Sequence, residues 1–300
     1  MREGFRRRRL AGTALIVAIL LALALPGVAL AGQTRQGSVS GPFVALGDSF
    51  AAGNLIPASP SGTPAGCLRS SHDYGADAAV ALGATRYIDA TCTGATTRNM
   101  TEPEPKLRGT NPPQFSFLAA DDSVVTLTIG GDDVGYLGVL ETCAVLSLTD
   151  LFGHPCERHY TAGGTDHLVA AINATAPKVA GVLQGIHARA RHARVLLVGY
   201  PDILPTSGHG CWPETPFAFG DVPYLRGIEI DLNQMLAGTA AANGATYVDT
   251  YTATIGHDAC QQPGVKDVEG LIPTSLAYPF HPNRRGELVM ADQVLAALGA

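Results

Sequence analysis

The chain is short of charge, of aromatic residues and of metal-binding spacings, and each shortage narrows what it does. Only 15% of its 300 residues are charged, and it has a single tryptophan. Beyond the first residues, lysine and arginine are seldom clustered, which argues against nucleic acid and against electrostatic docking on anionic membranes. No Cys-x-x-Cys or His-x-x-x-His spacing occurs, so the cysteines and histidines supply no zinc signature. After residue 31 no run is apolar enough to span a bilayer, and no repeat or low-complexity tract is present.

What is present begins with a basic block at Arg6 to Arg9, an apolar stretch from Leu10 to Leu25, and Ala29-Leu30-Ala31 before Gly32. This three-part layout predicts a secretory signal peptide over 1–31 that leaves no stable membrane anchor once cleaved. Residues 32–300 then form one large domain. The leader carries five arginines against one glutamate, so the whole-chain net charge of −6 becomes −10 beyond it. Cys67, Cys92, Cys143, Cys156, Cys211 and Cys260 all follow the leader, and an even count in an exported chain predicts disulfides. Sequential pairing (67–92, 143–156, 211–260) is expected, because each pair brackets a loop-rich insert.

Apolar, β-rich runs at 42–46, 86–90, 123–129, 194–199 and 245–249 read as strands. Val124-Val125-Thr126-Leu127-Thr128-Ile129 and Val195-Leu196-Leu197-Val198 suit strands covered on both faces. Between them, Leu168, Val169, Ile172, Val179, Val182, Leu183 and Ile186 recur at helical spacing, with Thr165 as expected N-cap and a kink or split at Pro177. Further helices are predicted from Pro223 to Ala242 and from Asn283 to Leu298, the last burying Leu288, Val294, Leu295 and Leu298 and stopped by Gly299. The alternation predicts a three-layer α/β/α fold.

In such a sheet, ligands bind beyond the carboxyl ends of the strands. The first strand runs into Gly47-Asp48-Ser49, a turn that lifts a serine hydroxyl to the sheet rim as a candidate nucleophile. The other ends carry Cys92-Thr93-Gly94, Gly130-Gly131-Asp132-Asp133, Gly199-Tyr200-Pro201-Asp202 and Asp249, and His281-Pro282-Asn283 precedes the final helix. Two histidines compete to be the base: His281 in its rigid turn, and His257 beside Asp258. A turn glycine such as Gly94 lets a backbone N–H approach an oxyanion closely. Asp132 and Asp133 lack the third nearby carboxylate that a Ca²⁺ site calls for. Phe217, Phe219, Trp212 and Leu271 are candidates for an acyl groove.

Taken together, Gly47-Asp48-Ser49-Phe50, Gly94, Gly130-Gly131-Asp132-Asp133 and His281-Pro282-Asn283 resemble the ordered blocks of the SGNH (GDSL-type) hydrolase family, from about residue 42 to the end. With six cysteines, Cys-Thr-Gly-Ala-Thr-Thr and Gly-His-Asp-Ala-Cys, the chain is most similar to the family's secreted actinobacterial esterases and lipases. The resemblance implies a five-stranded parallel sheet of flavodoxin-like order 2-1-3-4-5 and no cofactor. It implies Ser49 as nucleophile, His281 as base and then acid, and the N–H groups of Ser49 and Gly94 as oxyanion donors. The expected activity is hydrolysis of carboxylic or lipid esters by a secreted monomer, with glycan deacetylation as the alternative.

Two positions depart from the family pattern. Where many members have Asp three residues before the histidine, this chain has Tyr278, whose carbonyl is then expected to orient the imidazole. Asp132 stands where a third, asparagine oxyanion donor is expected. An ionised carboxylate about 4 Å from an oxyanion repels it by roughly 4 kcal/mol at an effective dielectric near 20. Asp132 must therefore be protonated for efficient catalysis; otherwise the chain is a non-catalytic exported binding domain.

Overall fold

The computed structural model describes Val39 and residues 41–300 except position 207. The expected leader over 1–31 lies outside the described residues.

Five short strands, β1 (Phe43–Gly47), β2 (Tyr87–Asp89), β3 (Val124–Thr128), β4 (Arg194–Val198) and β5 (Thr246–Val248), form one sheet in the order β2-β1-β3-β4-β5. All pairings are parallel, with Val44 opposite Val125 and Val125 opposite Val195. This is the expected 2-1-3-4-5 order. A separate two-stranded hairpin, Glu104–Lys106 against Gly109–Asn111, lies outside the sheet.

Successive strand side chains point to opposite faces, and each face is covered by helices. Val44, Leu46, Val125, Leu127 and Leu197 pack under α5 (His167–Arg189) and α6 (Asp221–Ala242). Phe43, Val124, Leu196 and Val198 pack under α1 (Tyr74–Ala81) and α8 (Arg284–Leu298). Short helices α2 (Gly131–Val134), α3 (Tyr136–Ser147), α4 (Pro155–Tyr160) and α7 (Thr250–Thr254) fill the connections. The cysteines pair sequentially as expected, Cys67–Cys92, Cys143–Cys156 and Cys211–Cys260.

Three local expectations are corrected. Helix α5 is capped by Asp166, not Thr165: the Asp166 carboxylate accepts from the N–H groups of Leu168 and Val169 at 2.9 and 3.1 Å. The same helix is continuous through Pro177, so it is not split there. The proline and Asn173, whose carbonyl it deprives of a donor, are exposed, while Ile172, Thr175, Val179 and Val182 stay buried. Leu288 of α8 is 45% exposed; the buried stripe runs instead through Met290, Ala291, Val294 and Leu298, and Gly299 closes the helix at φ 73°.

Candidate active site

Gly47 ends β1 in a position held from the side by Gln114. This fully buried amide accepts from the Gly47 N–H at 2.7 Å and donates to the Gly47 carbonyl at 2.9 Å, acting as a one-residue neighbouring strand. The turn that follows is closed by Asp48, whose Oδ1 accepts from the Phe50 N–H at 3.0 Å. Its Oδ2 accepts from the Tyr200 hydroxyl at 2.5 Å, and that hydroxyl in turn accepts from the Gly131 N–H at 2.8 Å. Three strand ends, those of β1, β3 and β4, are thereby bolted together behind Ser49. A side chain at Gly131 would place its Cβ 2.9 Å from the Tyr200 oxygen, so only glycine fits there.

The Ser49 hydroxyl meets His281 Nε2 at 2.7 Å. On the far side of the ring, Nδ1 lies 2.8 Å from the carbonyl oxygen of Pro279. A carbonyl only accepts, so Nδ1 carries the proton and Nε2 is left bare to accept from serine. The expected acceptor, the Tyr278 carbonyl, is corrected to Pro279. The Tyr278 carbonyl is taken by the backbone N–H of His281 at 3.1 Å, and Phe280, at φ 60°, turns the chain so that the next carbonyl faces the ring. Phe50 stacks on the imidazole at 4.4 Å and Tyr278 stands edge-on to it at 5.2 Å. Burial lowers the His281 pKa to about 4, against the opposing bond to Pro279, so the ring is neutral near pH 7 and able to take a proton.

Ser49, Asp132 and His281 line one pocket whose apolar walls are Phe50, Tyr136, Leu137, Leu140, Ile203, Leu232 and Phe280. The expected groove residues are not among them. Phe217 is fully buried against Phe280, Phe219 packs on Phe152 and His209, and Trp212 and Leu271 are exposed elsewhere. The apolar wall comes instead from α3 and α6, which the short run after Asp133 gave no reason to read as pocket.

Asp132 is only partly exposed. Burial first, then the neighbouring charge of Asp133, raises its pKa to about 6. Asp133 itself is held away, accepting from the Thr97 N–H and hydroxyl at 2.8 and 2.6 Å. Gly94 does not line the pocket. It lies in the exposed turn beyond β2 at φ 79°. Among the described residues, neither the Ser49 N–H nor the Gly94 N–H finds an acceptor. The rival base His257 is elsewhere, half-exposed, with Nδ1 2.7 Å from the Val265 carbonyl; its neighbour Asp258 instead accepts from Cys260 and Gln261.

Gln114, Tyr200 and Asn54 support the site without belonging to any motif. Asn54, buried, donates to the Thr93 hydroxyl at 2.6 Å, while its backbone carbonyl oxygen accepts from the Tyr278 N–H at 3.1 Å, joining the loops of Ser49, Gly94 and His281. A strand-end rule marks Tyr200, but nothing in sequence marks an amide that acts at a distance of dozens of residues.

A serine hydroxyl on a neutral, buried imidazole at the carboxyl edge of a flavodoxin-like sheet defines a serine hydrolase. Residues 45–288 match the GDSL-like Lipase/Acylhydrolase family. The chain belongs to that family and is a carboxylic ester hydrolase. It is 37% identical to "Lipase 2" of Streptomyces coelicolor over 96% of each chain. Its fold is similar to that of phospholipase A1 from Streptomyces albidoflavus, with a TM-score of 0.70, 26% identity, and 86% and 98% of the two chains covered. The extracellular lipase of Streptomyces rimosus superposes with a TM-score of 0.69 at 24% identity, covering 84% of this chain and 99% of that one.

Proposed function

We propose that this enzyme is exported and cleaves esters of apolar acyl groups, lipids among them, through an acyl-enzyme on Ser49. The observation that carries the reading is the 2.7 Å contact from Ser49 to a histidine whose other nitrogen is occupied. The Ser49 oxygen attacks the ester carbonyl carbon while its proton passes to His281 Nε2. The resulting oxyanion takes the N–H groups of Ser49 and Gly94, and the protonated carboxyl of Asp132 donates a third bond. The carbon–oxygen bond to the alcohol breaks as the imidazolium returns its proton to the leaving oxygen. Water then attacks the acyl-enzyme, His281 again accepts the proton, and serine is restored. The relatives called lipase and phospholipase A1 and the apolar pocket walls support an acyl-lipid substrate. Residues 1–31 have the layout of the export signal, and the three disulfides suit an oxidising destination.

The test is hydrolysis of p-nitrophenyl esters of graded chain length from pH 4 to 9. Ser49→Ala is expected to lose about three orders of magnitude or more in kcat. Equal rates in both proteins would remove Ser49 from the chemistry.

A further inference from the structure

Outside the pocket, one lysine has an unusual address. Lys106 ends the first strand of the hairpin Glu104–Lys106 and is mostly buried. Its ammonium donates to the Thr93 carbonyl at 2.5 Å and to Glu104 Oε1 at 2.6 Å. The Thr93 carbonyl belongs to the same peptide unit as the Gly94 N–H. That N–H has no acceptor among the described residues. A Cβ at residue 94 would sit 3.3 Å from the ammonium, so the lysine lies directly against this peptide.

We propose that Lys106 is a positioning residue of the oxyanion site, fixing and polarising the Thr93–Gly94 peptide so that the Gly94 N–H donates more strongly. The proposal rests on Gly94 being an oxyanion donor. A charge-assisted bond to a carbonyl is stronger than a neutral one, and a peptide whose oxygen accepts such a bond becomes a better donor at its nitrogen. The bond also selects one orientation of a turn that is otherwise exposed, so the donor is pre-aimed when charge develops. The lysine acts from behind the peptide and needs no contact with substrate.

The same ammonium bears on Asp132. Three other charges shape that site: Asp133 and Glu104 work against ionisation of Asp132, and Lys178 pairs with Asp133 at 3.6 Å. Among these groups Lys106 alone favours the ionised form of Asp132 directly. Removing it therefore weakens the Gly94 donor and keeps Asp132 protonated to higher pH, two effects of different sign on different observables.

The experiment compares wild type, Lys106→Met, Lys106→Arg and the paired Glu104→Gln/Lys106→Met with p-nitrophenyl butyrate across pH 4 to 9, with Ser49→Ala alongside. The double variant avoids leaving Glu104 buried without its partner. Lys106→Met and the double variant are expected to lose about tenfold or more in kcat with KM within twofold; the falling limb of the pH profile moves to higher pH in Lys106→Met and moves less in the double variant, which also loses the opposing charge of Glu104. Lys106→Arg retains most of the rate. A kcat within twofold of wild type with the limb unmoved, while activity still depends on Ser49, overturns the role of Lys106 alone. Loss of the difference between wild type and Ser49→Ala overturns the hydrolytic reading and this one with it.

Discussion

Two titrations set the working range of this site. His281 serves as base only when neutral, and burial holds its pKa at about 4. Asp132 donates only when protonated, and burial with Asp133 beside it sets its pKa at about 6. On these roles, activity is expected to rise as pH climbs through about 4 and to fall as it passes about 6. A kcat/KM profile is expected to be bell-shaped with an acidic optimum. In Asp132→Asn the falling limb disappears, because an amide donates at every pH, and activity at pH 8 exceeds wild type by about two to three decades, the cost of a carboxylate facing an oxyanion. A wild-type plateau extending to pH 9 would contradict the assignment of Asp132, and full activity well below pH 4 that of His281. Much of this was legible in the chain itself: Ser49, His281 and the anomaly of Asp132 stand in short ordered blocks. The orienting carbonyl was misplaced by one residue, since only the turn at Phe280 decides which of two adjacent carbonyls meets the ring. Motif spacing carries no information on that.

At the level of elements, the five strands were readable because β-rich apolar runs alternate with helical ones, most plainly at the buried central strands, whereas their order followed only from the family resemblance. The apolar pocket wall was not readable, since Leu137 and Leu140 belong to a helix that follows the short α2 and faces the site only through the fold. Two predictions concern the joints between elements. Gln114→Ala leaves the N–H of buried Gly47 unpaired, while its carbonyl keeps the bond from the Cys92 N–H at 3.0 Å, and urea unfolding is expected to show a loss of about 1–3 kcal/mol for the orphaned group. Helices α1 and α8 are joined by Glu287, fully buried, whose Oε2 accepts from the Tyr74 N–H at 2.8 Å. Burial, then the charge of Asp73, holds its pKa well above the usual carboxylate value. Such a group contributes stability below its unfolded pKa and loses it as pH rises toward the folded one. Glu287→Gln keeps an acceptor without the charge, so its Tm is expected to exceed wild type by about 2–4 °C at pH 8 and to match it near pH 4 in a calorimetric scan.

For the molecule as a whole, the disulfides do separate work from the dyad. Cys211–Cys260 closes 49 residues that include all of α6 and β5, and Cys67–Cys92 ties the loop after Ser49 to the turn that carries Gly94. Replacing Cys211 and Cys260 together by serine is expected to lower stability by about 2–4 kcal/mol, with kcat retained at temperatures where the chain remains folded. A guanidinium melt paired with a kinetic assay at 25 °C separates the two effects.

Ser49 and His281 lie 232 residues apart in the chain. The serine is made early in synthesis, and the histidine it meets comes in the last turn before α8. A chain that stops before residue 281 has the serine without the imidazole, and the helix that follows His281, α8, packs on α1. Any chain cut short of that histidine is therefore expected to keep the Ser49 turn and yet leave p-nitrophenyl esters intact.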